Sequence, residues 1–536
     1  MRKKAILLIC VVFSCCMASR VYADNFVVTN TADSGPGSLR EAILRAAANG
    51  TAATDQIHFN IAQTIFNRRI INLLSPLPSL SSNLIIDGTT QPGEKFAITD
   101  AKICIKKDDY VDEFVLFNIE NATQVKIYGI YMIYGYWKWD IERGDRSKKL
   151  YAIKLSNAFD IEIGAPGKGN VINGYHFGIY SSSDSCRNIR IQSNYMGQGL
   201  YYTDYTFDID EVVVSVKAGI EMLNAKDVLI GGPNSTEGNL IKADRAVSLD
   251  SRYATGNGFI HIVNNVFGKD YDRMRILGGQ DPFSPNVFIG ESLNYLGASP
   301  RPSMDYDVLI QQNDIPTSLG LDKLSKRFLI KGNKFDLPPG SSLFTNRPAK
   351  LSITNCADGE IGGNTNAEIN TFRENGVTGI FAISADQNTG LTISKNIFEC
   401  NVLQGTPTVI SSNKTVVPVV RINSMTNSEV SGTATPLSTI ELFYDDDCAA
   451  CEGKVFIAST TADAGGNWLY MGNFTGGVVA TATSSSGATG EFSVPKTDTT
   501  NVVITHPACG LNNGSIRGLT ISGGNGYRWQ IGRAHV

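Results

Sequence analysis

Apolar and polar residues alternate along most of this chain in brief runs, and one early segment breaks the pattern. FVVTN (residues 26–30) alternates as a half-buried strand does. In SGPGSLREAILRAAANG the period lengthens, so that Leu39, Ala42, Ile43 and Ala46 share one face of a helix. Ser38 and Glu41 have the spacing of a capping box, in which the hydroxyl accepts from the N3 amide and the carboxylate accepts from the cap. Asn49-Gly50 supplies a left-handed stop. Hardly another helix start follows. A helix this short cannot bury its apolar face alone, and the open end of a β stack would cover it, so the pattern predicts a lid.

Beyond residue 55 short period-two runs are separated by Gly, Asn, Asp and Pro, and a phrase recurs. It runs apolar, two variable residues, Asn, one variable, apolar, and carries Asn194, Asn265, Asn313, Asn333 and Asn396. These asparagines lie 71, 48, 20 and 63 positions apart, close to multiples of ~22, a period that suits the coils of a β-solenoid. A second phrase opens on Ile163-Gly, Ile230-Gly or Ile361-Gly and closes on Asn170, Asn239 or Asn370. Its 67- and 131-residue intervals predict three and six coils. Asn tolerates the left-handed backbone of a sharp corner, and its amide can bond to the Asn one coil above, so these residues read as structural ladders.

The run FVVTNTADSGPGSLREAI, with the later IINLLSPLPSL and LIIDGTTQPG, closely resembles the start of secreted bacterial right-handed parallel β-helix proteins of the pectin-lyase-like fold. The resemblance covers residues 26 to about 410 and implies an all-β fold: a right-handed single-stranded parallel β-helix with an N-terminal capping helix. From Thr415 the strands lie closer together, with turn signals between them, and suggest a β-sandwich. This stretch resembles the bacterial Ig-like domains that follow β-helices in surface proteins, with Trp468 as a core residue. Cys448-Ala-Ala-Cys451 has no second thiol pair in this module and reads as a local disulfide rather than a zinc or redox site. ITHPACGLNNGSIRGLTISGGNGYRW resembles the start of a repeat found in large adhesins of gliding bacteria.

The expected organisation is a signal peptide (1–23), a β-helix (24–412), an Ig-like sandwich (413–497), the start of an adhesin repeat (498–530) and a non-native tail (531–536). The tail is suspected because one back-translation of IGRAHV resembles a sequencing-library adapter. The signal follows from Arg2, Lys3 and Lys4 ahead of an apolar segment too short to span a bilayer, and from Val21-Tyr22-Ala23 at its end. Removing it takes four bases and leaves 43 Lys+Arg against 51 Asp+Glu, a net charge of −8. That balance disfavours nucleic acid and anionic membranes as partners. Seven cysteines remain along a long chain, so disulfides do not build the fold.

Fold alone does not decide function. An inverting polysaccharide hydrolase needs paired carboxylates with room for a water, and a lyase needs Ca²⁺-binding acids and a base. The solenoid contains no Asn-Thr-Asp with a following Asp-Asp, no Gly-His-Gly and no Arg-Ile-Lys, and His176 and His261 stand alone as packed or rim side chains. Loops that leave a rigid solenoid carry function more often than its coils. One such stretch holds Tyr201, Tyr202, Asp204, Asp208, Asp210 and Glu211, and another runs from Lys269 to Arg275. The four acids are the catalytic candidates should the protein be an enzyme, Ca²⁺ is the only ion they suggest, and solvated loop acids are the plainer reading. Tyr136, Trp137 and Trp139, with Tyr201 and Tyr202, offer flat faces to sugar rings, although the tryptophans would equally seal an insertion. The sequence therefore predicts a secreted or surface-displayed, monomeric, adhesin-like protein with no transmembrane segment, no catalysis and no required cofactor. Its β-helix would bind an extracellular polysaccharide or cell-surface glycan, or serve as a stalk; the alternative is a hydrolase or lyase.

Overall fold

The structure is a computed structural model. It describes residues 23–522 apart from 97–98, 108, 110, 135–148, 182–185, 198–215, 225, 251–257, 269–286, 291–305, 316–317, 325–326, 337–348, 374–380, 400, 402–409, 413–417, 446–451, 494–495, 499–502, 506–514 and 518–519. The chain winds as a right-handed parallel β-helix with three faces. Face 1 is a 12-stranded parallel sheet from Asn25–Val28 to Thr392–Ser394 among the described residues. Face 2 begins at Ile70–Asn72 and face 3 at Glu113–Glu120, and the strand Leu240–Asp250 runs through the corner between them. Ile, Val, Leu and Phe from all three faces point inward and form one continuous buried cluster.

Helix α1 (Leu39–Asn49) closes the N-terminal end, and Leu39, Ala42, Ile43 and Ala46 join that cluster as the spacing predicts. Ser38 Oγ accepts from the Glu41 amide at 3.2 Å, but the Glu41 carboxylate reaches back to the amide of Gly37, at 2.6 Å, because the Ser38 amide already donates to the Gly35 carbonyl.

The two asparagine phrases are one ladder. Asn170, Asn194, Asn239, Asn265, Asn313, Asn333, Asn370 and Asn396 follow each other coil by coil, each side-chain amide donating to the next carbonyl oxygen at 2.8–3.0 Å. The phrases differ only in how the corner is turned. The left-handed backbone expected at the ladder asparagines lies elsewhere: none of the eight has positive φ, and in the tight form it is the residue before Asn that is left-handed, as Ser193, Asn264, Gln312 and Lys395 are. In the expanded form the glycine after Ile takes positive φ instead, and a Cβ there would stand 1.9–2.1 Å from a carbonyl oxygen of the next coil at Gly164, Gly231 and Gly362. Glycine is therefore required at these corners.

This corrects the expected coil count. Successive ladder residues are 20 to 48 positions apart, so the coil has no fixed length. The 67 residues from Ile163 to Ile230 make two coils, not three, and the 131 from Ile230 to Ile361 make four, not six. Insertions at the corners lengthen a coil without adding one, because only the strands must stay in register.

After the solenoid come two three-stranded antiparallel sheets enclosing a second core that includes Val430, Leu442, Phe474 and Trp468, the last 4% exposed. No helix among the described residues is long and apolar enough to cross a membrane.

Candidate functional site

The residues singled out for chemistry in the sequence, namely Tyr136, Trp137, Trp139, Tyr201, Tyr202, Asp204, Asp208, Asp210, Glu211, Cys448 and Cys451, lie outside the described residues. The fold does fix where the loop stretches attach. Segments 135–148, 198–215 and 269–286 each join a face 2 strand to a face 3 strand, so all three depart from the same corner of the solenoid.

Within the described residues a recess of about 630 Å³ lies at another corner, where the chain turns from face 3 into face 1. Thr123, Phe159, Asp160, Arg187, Asn188, Asp227 and Phe259 line it. Register explains their convergence. Phe159 stands beside Arg187, and the next position along the strand forms the lateral row Asp160, Asn188, Asp227 and Phe259 across four successive coils. Asp160, Asn188 and Asp227 are all left-handed, with φ of 53° to 56°. Asp and Asn tolerate that backbone better than other side chains with a Cβ, so the corner selects short polar groups. In the fourth coil an aromatic side chain takes the same place.

The polar groups are held in position. Asp160 Oδ1 accepts from Asn188 Nδ2 at 2.5 Å, and its Oδ2 accepts from Thr123 Oγ1 at 3.3 Å. The Arg187 guanidinium lies 4.8 Å from the centre of the Phe159 ring, a cation–π contact. At the other end the Phe259 ring packs 4.7 Å from that of His261. Burial lowers the pKa of His261, opposed by the Asp307 carboxylate, so this half-buried imidazole favours its neutral form at neutral pH.

The recess thus pairs two partly exposed aromatic rings with a row of carboxylate, amide and guanidinium groups. Aromatic faces accept the C–H surface of a sugar, and the polar row suits hydroxyl groups. Asp160 and Asp227 sit two coils apart, about 9.6 Å between backbones at the usual strand spacing, and Asp160 is exposed with both oxygens accepting hydrogen bonds. No group of three His, Cys, Asp or Glu among the described residues could hold a metal ion. Cys104, Cys186 and Cys356 are buried.

Sequence reasoning missed this row, although its signal was present. Asp160, Asn188, Asp227 and Phe259 each stand three positions before an isoleucine that opens a corner phrase: Ile163, Ile191, Ile230 and Ile262. Reading the columns before those isoleucines would have found it.

No family model and no curated protein matches this chain. Among solved structures it is similar to a mutant tailspike protein of E. coli bacteriophage HK620 in complex with a pentasaccharide, at 13% identity over 85% of this chain and 92% of that one, with a TM-score of 0.31. It is similar also to PfbA, a surface adhesin of Streptococcus pneumoniae, at 11% identity over 87% and 98%, with a TM-score of 0.30. Likenesses this distant carry no functional argument, which rests on the residues above.

Proposed function

We propose that this is a secreted or surface-displayed, adhesin-like bacterial protein that binds an extracellular polysaccharide or cell-surface glycan on its β-helix, with the two-sheet unit as an Ig-like module. The observation that carries the reading is the recess at the face 3 to face 1 corner, where Phe159 and Phe259 flank Asp160, Asn188, Asp227 and Arg187. Serial β-modules extend such a surface outward, and many weak contacts give avidity. The test is retention of the chain from residue 24 onward on a panel of immobilised polysaccharides and glycans, with assay of released reducing ends and unsaturated products. Binding without cleavage is expected. Phe259→Ala and Phe159→Ala should each weaken it roughly three- to tenfold, the value of one ring contact. Cleavage that disappears in Asp208→Asn or Asp210→Asn would replace this reading with a hydrolase or lyase, and retention unaffected by both phenylalanine variants would move the binding surface elsewhere.

A further inference from the structure

A parallel β-helix has two ends, and each presents strand edges and an apolar cross-section that the next coil would have covered. Helix α1 covers the first. At the second, the last face 1 strand, Thr392–Ser394, has no further coil beyond it among the described residues. Its main chain is nevertheless satisfied, by the two-sheet unit. Thr489 Oγ1 accepts from the Ile393 amide at 2.9 Å and lies 3.4 Å from the Ile393 carbonyl, to which it can donate, while the Thr489 amide donates to the Leu391 carbonyl at 3.2 Å. Glu441, buried in the unit, accepts from Ser394 Oγ at 2.5 Å and from the Lys395 amide at 3.0 Å. Glu452, fully buried, accepts from Asn401 Nδ2 at 2.9 Å.

The apolar interior is continued in the same way. Phe335, Phe372 and Phe398 stack in a column at 4.7 and 5.1 Å, their ring planes almost parallel. The column ends edge-on against Phe492, at 5.4 Å, which in turn meets Phe443 at 5.7 Å. Phe443, Val479 and Phe492 belong to the solenoid's buried cluster, whereas most buried apolar residues of the unit enclose a core of their own. Outside, Lys454 pairs with Glu399 at 2.9 Å.

We infer that the two-sheet unit is the C-terminal cap of the β-helix: a surface made of Glu441, Phe443, Glu452, Thr489 and Phe492 whose partner is the open end of this chain's own solenoid. The chain from α1 to Phe492 is then one folding and mechanical unit. The proposed glycan face is held at a fixed orientation to the C-terminal end, with no hinge between modules. The cap also denies the last coil to a second copy, which could otherwise extend the sheet end to end.

The experiment uses the chain from residue 24 to its end. Wild type should unfold thermally in a single transition seen both in far-UV circular dichroism and in hydrogen exchange of the solenoid and the cap. Thr489→Val keeps the shape but removes the hydroxyl, and exchange of the Ile393 amide should rise on the order of tenfold. Phe492→Ala should lower the melting temperature of the solenoid together with that of the cap and produce concentration-dependent oligomers in light scattering. The exposed Leu469→Ser, on the cap but away from this surface, should change neither. Separate wild-type transitions, a solenoid transition unmoved by Phe492→Ala, or an Ile393 amide unaffected by Thr489→Val would each overturn the inference.

Discussion

Replacing Asn313 by Ala tests whether the asparagine ladder holds the corner or merely fills it. Asn313 is 1% exposed. Its Nδ2 donates to the Ile262 carbonyl at 2.8 Å, and its Oδ1 accepts from the Asn265 amide at 2.9 Å. It also bonds to the neighbouring rungs, to Asn265 Nδ2 and to Asn333 Oδ1, both at 3.0 Å. Those rungs keep other partners: Asn265 Nδ2 still donates to the Ile230 and Val263 carbonyls, and Asn333 Oδ1 still accepts from the amide of residue 313. The Ile262 carbonyl keeps a main-chain partner in the parallel ladder, where Val263 pairs with Gln311, so the loss falls on the Asn265 amide. A buried polar group left without a partner costs about 1–3 kcal/mol, so the substitution should cost about 1–3 kcal/mol. Equilibrium urea unfolding followed by far-UV circular dichroism measures the total, and amide exchange at Asn265 locates it. Asn313→Asp keeps the acceptor and loses the donor while burying a carboxylate against the Ile262 carbonyl, so it should be no milder at neutral pH and should recover in acid, where a protonated carboxyl can donate. A cost below about 1 kcal/mol for Asn313→Ala, with the Asn265 amide protected as before, would refute the reasoning.

Further expectations concern the lid, a corner and a loop. Ile43→Ala empties a fully buried position between α1 and the first coils and should destabilise the chain by about 2–5 kcal/mol in the same urea assay. Gly231→Ala should lower the melting temperature sharply, since a Cβ would meet the Val263 carbonyl oxygen at 1.9 Å from a backbone at φ 79°, whereas Gly167→Ala, with open space at a similar φ, should be milder. The Glu368 carboxylate is held at about 2, chiefly by Lys331 and then by the Thr365 amide and hydroxyl. Because that value lies below the ordinary carboxylate range, its contribution is present above the ordinary range and is lost as pH falls toward about 2, so Lys331→Met should raise the Glu368 titration midpoint in carboxyl-resolved NMR.

The architecture was legible because a solenoid repeats its instructions. Each corner needs a side chain that donates to one rung and accepts from another, and glycine where a Cβ would strike the next coil, so Asn, Gly and the flanking Ile recur visibly. The apolar position two residues after each ladder Asn, from Ile172 to Phe398, is buried as the phrase requires. Coil number was less legible. Corner insertions stretch the spacing from 20 to 48 residues without changing the strands, and an assumed constant period therefore overcounted. The acid- and aromatic-rich segments drew attention through composition, while the recess drew none, because its groups come from five coils and no coil supplies more than two of them.

The sequence by itself determined the lid helix, the inward files and the asparagine ladder, since each is a local rule repeated: a cap, a period or an amide side chain that bonds to its like one coil on. Only the tertiary structure decided which coils are neighbours, and with that the meeting of Phe159, Arg187, Asp227 and Phe259 in one recess. It also decided that the last coil ends against Thr489, Glu441 and Phe492. Lateral register is a relation between strands separated by loops of arbitrary length, and pattern along the chain does not encode that distance.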